Sequence, residues 1–64
     1  MTPAEFKAAR LSLGLSARAL AEIYGVHLRT VTRWESGQHR LRPADIALMQ
    51  GLLSAAPAPK ERAN

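Results

Sequence analysis

Arg29 and Arg33 stand four residues apart, about one turn of an α-helix, with Thr30 beside them. A guanidinium donates in a planar fork. Such forks match the paired acceptors O6 and N7 on the major-groove edge of guanine, or the oxygens of a phosphate. Arg29, Arg33, Arg40 and Arg42 all fall within fourteen residues, opposed only by Glu35. The whole chain carries nine Lys and Arg against five Asp and Glu, a formal charge of +4. That balance suits a polyanionic partner. A basic surface also serves plain solubility, so the placement of the arginines weighs more than their number. The ordinary alternative for Arg29, Thr30 and Arg33 is a solvated polar helix face.

Other chemistries find little support. The chain has no cysteine, which excludes disulfides and thiolate metal sites and fits a reducing compartment. His27 and His39 lie twelve residues apart without a cysteine or a paired carboxylate, so no metal site and no cofactor is expected. The serines Ser12, Ser16, Ser36 and Ser54 include none in a nucleophile elbow, and caps or pairing account for the carboxylates. No enzyme is expected. The apolar runs are far short of a membrane span, and Met1 leads directly into a helix start without a signal-peptide core. The expectation is a cytoplasmic protein with no membrane partner.

Sixty-four residues leave room for one core, and a chain of this size buries only about 60% of its unfolded surface. Thr2-Pro3-Ala4-Glu5 has the form of a capping box, and it opens a first helix to about Leu13 with Phe6, Ala9, Arg10 and Leu13 on one face. Gly14 ends that helix. Ser16 is a natural N-cap for a second helix over 17–24, in which Leu20, Ala21 and Tyr24 recur at helical spacing. Gly25 suits the left-handed residue that stops it. A third helix over 27–36 carries Val31 and Trp34, follows Val26, and closes at Gly37. Pro43 starts a fourth helix to about Leu53, with Asp45 in its first turn. Its apolar residues Ile46, Leu48, Met49, Leu52 and Leu53 cover more than one narrow stripe. The SAAPAPKERAN tail from Ser54 has no apolar period and is expected to be disordered, leaving a folded domain over 1–54 and a tail over 55–64. No window alternates as a strand would. The fold class is all-α, a compact bundle of four helices with an ordered turn after them as a variant. Its core is expected around Phe6, Leu13, Leu20, Ile23, Val31, Trp34 and the fourth helix.

Two short helices joined by a glycine turn make a helix-turn-helix, whose second helix can enter the major groove. The residues resemble the Cro/cI-like, or XRE, family of bacterial and phage regulators. The likeness rests on Ala21 four positions before Gly25, on apolar Leu20, Val26 and Val31, and on the W-E-S-G run Trp34-Glu35-Ser36-Gly37. Upstream, the R-x-x-x-G-L-S run from Arg10 to Ser16 fits the end of the family's first helix. The resemblance covers roughly residues 3–53. It implies a lambda-repressor-like fold and sequence-specific binding of double-stranded DNA as a transcriptional regulator. The expected form is a homodimeric repressor reading an inverted repeat with helix 27–36. Small members serve as phage repressors and anti-CRISPR-associated autorepressors. The alternative is a scaffold for protein interaction, such as an antitoxin.

The resemblance also suggests roles. Leu28, Arg29, Thr30 and Arg33 are the candidate base contacts. Leu28 departs from the polar residue relatives often place there; it can pack on a thymine methyl or cover a neighbouring side chain. Arg10, Ser16, Arg18, His27, Ser36, Gln38, His39, Arg40 and Arg42 are the candidate phosphate contacts. His27 replaces the family's usual Ser or Thr cap. Ala17 stands where relatives often carry glutamine, so Arg18 is a substitute. Relatives pair an arginine of the first helix with the glutamate ending the third, and Arg10 and Glu35 match those positions. Trp34 reads more readily as core than as a stacking platform. Met49, Leu52 and Leu53 are the candidate dimer interface.

Overall fold

Thr2 and Glu5 begin the fold by satisfying each other's backbone. The Glu5 N–H donates to Thr2 Oγ1 at 3.1 Å and the Thr2 N–H donates to Glu5 Oε1 at 2.8 Å. Accepting that bond holds the Glu5 carboxyl below its ordinary pKa. The computed structural model describes residues 1–55, and these form four helices with no strand among them. They are α1 (Pro3–Ser12), α2 (Ala17–Tyr24), α3 (Leu28–Ser36) and α4 (Pro43–Ala55). α4 continues past the expected Leu53, through Ser54 to Ala55. The rest of the expected disordered tail lies outside the described residues.

Each helix start has its own chemistry. Ser16 Oγ accepts from the Ala19 N–H at 3.0 Å. At α4 the cap is reversed: the Asp45 carboxylate reaches back to accept the Arg42 N–H at 3.0 Å. Gly25 stops α2 at φ +68°, a left-handed conformation that costs a side-chain-bearing residue dearly, and the Val26 N–H then closes onto Ala21 O at 3.0 Å.

The core joins all four helices. Phe6, Leu20, Val31 and Met49 are fully buried, with Ala9, Ala21 and Trp34 around them. α3 packs against both α1 and α2, and α4 lies on α1. Phe6 meets the rings of Tyr24 and Trp34 edge-on, with centroids 6.0 and 5.7 Å apart. Tyr24 and Trp34 close the triangle at 5.4 Å. Such tilted contacts suit the ring quadrupoles. The Tyr24 hydroxyl also donates to Asp45 O at 2.8 Å, tying α2 to the first turn of α4.

Two expectations need correction. Ile23, expected in the core, is 46% exposed. α2 turns Ala17, Leu20, Ala21 and Tyr24 inward, and at about 100° per residue Ile23 falls about 110° from the centre of that face. Met49, expected at a dimer interface, is fully buried among the core side chains and offers no surface to a second copy. Leu52 is half-buried against the same core, while Leu48 and Leu53 are exposed.

Burial first, and then the Asp45 charge, push the Tyr24 phenol up to about 12 from its ordinary 10.0. The folded protein therefore keeps a proton that the unfolded chain releases in that window. This contribution to stability is full below pH 10 and is lost as pH rises towards about 12. Tyr24→Phe is expected to cost about 0.5–1.5 kcal/mol at neutral pH through the lost hydrogen bond. It should also flatten the alkaline loss, as read by urea unfolding of both proteins at neutral and alkaline pH.

Candidate nucleic-acid interface

α2, the Gly25 turn and α3 form the motif, and a buried ion pair sets its angle to the scaffold. Arg10, at the end of α1, donates from Nε to Glu35 Oε2 at 2.6 Å and from Nη2 to Glu35 Oε1 at 3.2 Å. Its Nη1 donates to Leu15 O at 2.9 Å. The side chains are only 10% and 9% exposed. One guanidinium thus joins the end of α1, the approach to α2 and the last turn of α3. Three of its five N–H groups are engaged within the protein, which makes Arg10 a positioning residue in this geometry.

With Glu35 drawn inward, the outer face of α3 holds no carboxylate. Arg29 is exposed and Arg33 half-exposed, and neither has an acidic partner among the described residues. A shallow depression on this face is lined by His27, Leu28, Arg29, Thr30, Thr32 and Arg33. Thr30 and Thr32 lie on opposite sides of the arginine pair. Thr30 is half-buried on the flank towards Trp34, while Thr32 is exposed on the flank towards Leu28. Sequence reasoning grouped Thr30 with the arginines and missed Thr32. The helical period was the available signal, since Thr32 falls one turn after Leu28 and about 60° from Arg29.

The start of α3 lacks the cap its neighbours have. His27 takes the N-cap conformation but its ring makes no capping hydrogen bond. Beyond α3, the Gln38 and His39 N–H groups both turn back to Arg33 O, at 2.9 and 3.2 Å. This leaves the Gln38, His39 and Arg40 side chains exposed beside the end of the helix. Ser36 is exposed, with its hydroxyl donated to Arg33 O at 3.2 Å. Arg42 is largely exposed but engaged: Nε and Nη2 donate to the Asp45 carboxylate at 3.1 and 3.4 Å. Those bonds raise its pKa further. At the other end of the motif, Ser16 and Arg18 are exposed at the start of α2. Trp34 is buried between Phe6 and Tyr24, as its core reading anticipated.

The helix-turn-helix family model matches residues 6–53, most of the chain, and the chain belongs to this family, whose XRE-type members are DNA-binding domains of transcriptional regulators. Such domains are non-catalytic modules that bind DNA. No curated protein and no solved structure matches. Among the described residues no helix is long and apolar enough to cross a membrane, and no cluster of three or more metal-ligating side chains occurs.

Removing one partner of the Arg10–Glu35 pair leaves a nearly buried charge alone. Glu35→Ala is therefore expected to destabilise the fold by about 3 kcal/mol, a large share of the total for a chain this short. The double change Arg10→Met/Glu35→Leu should recover most of that loss. Urea unfolding followed by circular dichroism separates the two; equal losses in both would overturn the ion-pair account.

Proposed function

We propose that this protein is a sequence-specific binder of double-stranded DNA that represses transcription as a homodimer on an inverted repeat. The observation that carries the reading is the pair Arg29 and Arg33, unopposed on the outer face of α3 while the one acid of that helix is held inward by Arg10. In the major groove each guanidinium can take both acceptors of a guanine, and Thr30 can assist from the flank. Ser16 and Arg18 on one side, and Ser36, Gln38, His39 and Arg40 on the other, suit the flanking phosphates. His27 and the uncapped N–H groups of α3 suit another, since a helix start favours an anion. These contacts set register and carry no sequence preference. Arg42 contributes its charge from beside Asp45. Occupying promoter DNA would block polymerase, and a DNA operator puts the protein in the cytoplasm.

One reading helix spans few base pairs, so two copies on half-sites about one helical turn apart would supply affinity and specificity. α4 suits that contact. Leu48 and Leu53 are exposed on its two flanks, Leu53 beside α1, and no charged residue occurs from Ile46 to Pro59. On a protein of net charge +4 this is where a second copy meets least repulsion.

Selection from a random duplex library, followed by titration of the enriched site at about 0.15 M salt, tests the reading. Arg29→Ala or Arg33→Ala should lose about 1–3 kcal/mol of preference over scrambled duplex. Arg40→Ala should instead weaken all sequences alike and lower the salt slope by about 1. Equal binding of the enriched and scrambled duplexes by the unaltered protein would overturn the specific reading. For the dimer, sedimentation should show two chains per inverted repeat, and Leu53→Glu should reduce this to one at the same concentration.

A further inference from the structure

The exposed side of α3 carries two rows side by side, each of residues one turn apart. Arg29 and Arg33 form the row just assigned to guanine. Leu28 and Thr32 form the other: Leu28 has so far been left between packing on a thymine methyl and covering a neighbouring side chain, and Thr32 has had no role. Leu28 is 37% exposed, although the core side of the same helix is filled by Val31 and Trp34. The Thr32 hydroxyl donates to Arg29 O at 2.8 Å, so its hydrogen is already used; its oxygen can still accept, and its γ-methyl adds apolar surface beside Leu28. Together the two side chains make a narrow apolar strip inside the depression on this helix.

The surroundings limit what can cover the strip. Arg29 and Arg33 flank it without acidic partners among the described residues, so an apolar protein surface laid over it would desolvate two unpaired charges. The major groove accepts both rows at once. It offers guanine acceptors for the arginines, and its one apolar feature is the C5-methyl group of thymine. Leu28 is also the first residue of α3, and the N-terminal residues of a reading helix approach base edges most closely.

We propose that Leu28 and Thr32 read the 5-methyl group of a thymine next to the guanine taken by Arg29. The inference rests on the reading of α3 as the base-contacting helix. It adds a preference that the arginines alone would not produce: each half-site contains a thymine recognised by its methyl group rather than by its hydrogen-bonding edge.

The test uses the full chain and the duplex enriched from the random library. Each thymine of a half-site is replaced in turn by deoxyuridine, which removes the methyl group and leaves the base pair intact. One position, beside the guanine whose replacement hurts Arg29-dependent binding, should lose about fourfold in affinity per half-site, the usual effect of one buried methyl-sized group. Leu28→Ala should lose a similar factor on the thymine site and become indifferent to deoxyuridine there. Thr32→Ser, which keeps the hydroxyl and removes only the methyl, should reduce the deoxyuridine effect. A thermal melt of each variant confirms folding, which an exposed Leu28 and Thr32 should not decide. Affinity unchanged within error by deoxyuridine at every position would overturn this inference and leave the DNA reading standing. So would a deoxyuridine loss that persists undiminished in Leu28→Ala. Failure of the library to enrich any site would overturn the DNA reading itself, and this inference with it.

Discussion

The Arg10–Glu35 pair is the constraint on which the rest of the molecule turns. Its fork spans the end of α1, the carbonyl of Leu15 and the last turn of α3. A nearly dry, two-pronged contact tolerates little rotation, so it fixes where α3 stands. Its net contribution to stability is small, because the attraction mostly offsets the desolvation of both groups. Its value lies in orientation and in sign. The same contact that aims α3 also withdraws that helix's one carboxylate from the outer face, leaving Arg29 and Arg33 without a local competitor.

The aromatic triangle does the complementary work on the other side of α3. Phe6, Tyr24 and Trp34 come from three different helices; Phe6 meets the other two rings edge to face, and those two lie tilted to each other. Close approach is possible because Ala9 and Ala21 keep the neighbouring surfaces thin. α4 is joined to this cluster by Met49 and by the Tyr24 hydroxyl on Asp45 O. Asp45 thus serves both its own helix start and the approach of Arg42. A short chain obtains a determinate core here by giving few residues several partners each.

The four helix starts are not treated alike. Thr2, Ser16 and Asp45 satisfy their helices with side-chain oxygens, whereas His27 leaves the first turn of α3 without one. A cap typically contributes about 1 kcal/mol. α3 forgoes that local gain. Local rules are most often broken where function asks for the exposed group, and α3 also exposes Leu28 there.

Sequence by itself determined the elements and their ends. Caps, glycine stops and the period of apolar residues act within a turn or two of the chain, so α1, α2 and α3 could be read within a residue or so of their limits. The arginines that mark the outer face, and the Arg10–Glu35 partnership suggested by the family resemblance, were legible in the same way. Only the tertiary structure decided which of several neighbouring residues each helix turns inward. Ile23 and Met49 exchanged places, because α2 rotates to bring Tyr24 onto Phe6 and α4 presses Met49 into the remaining space. Thr32 joins Thr30 in lining the depression on the outer face for the same reason. A helical period leaves the phase uncertain by the width of one residue, and the packing of large side chains from distant parts of the chain resolves it.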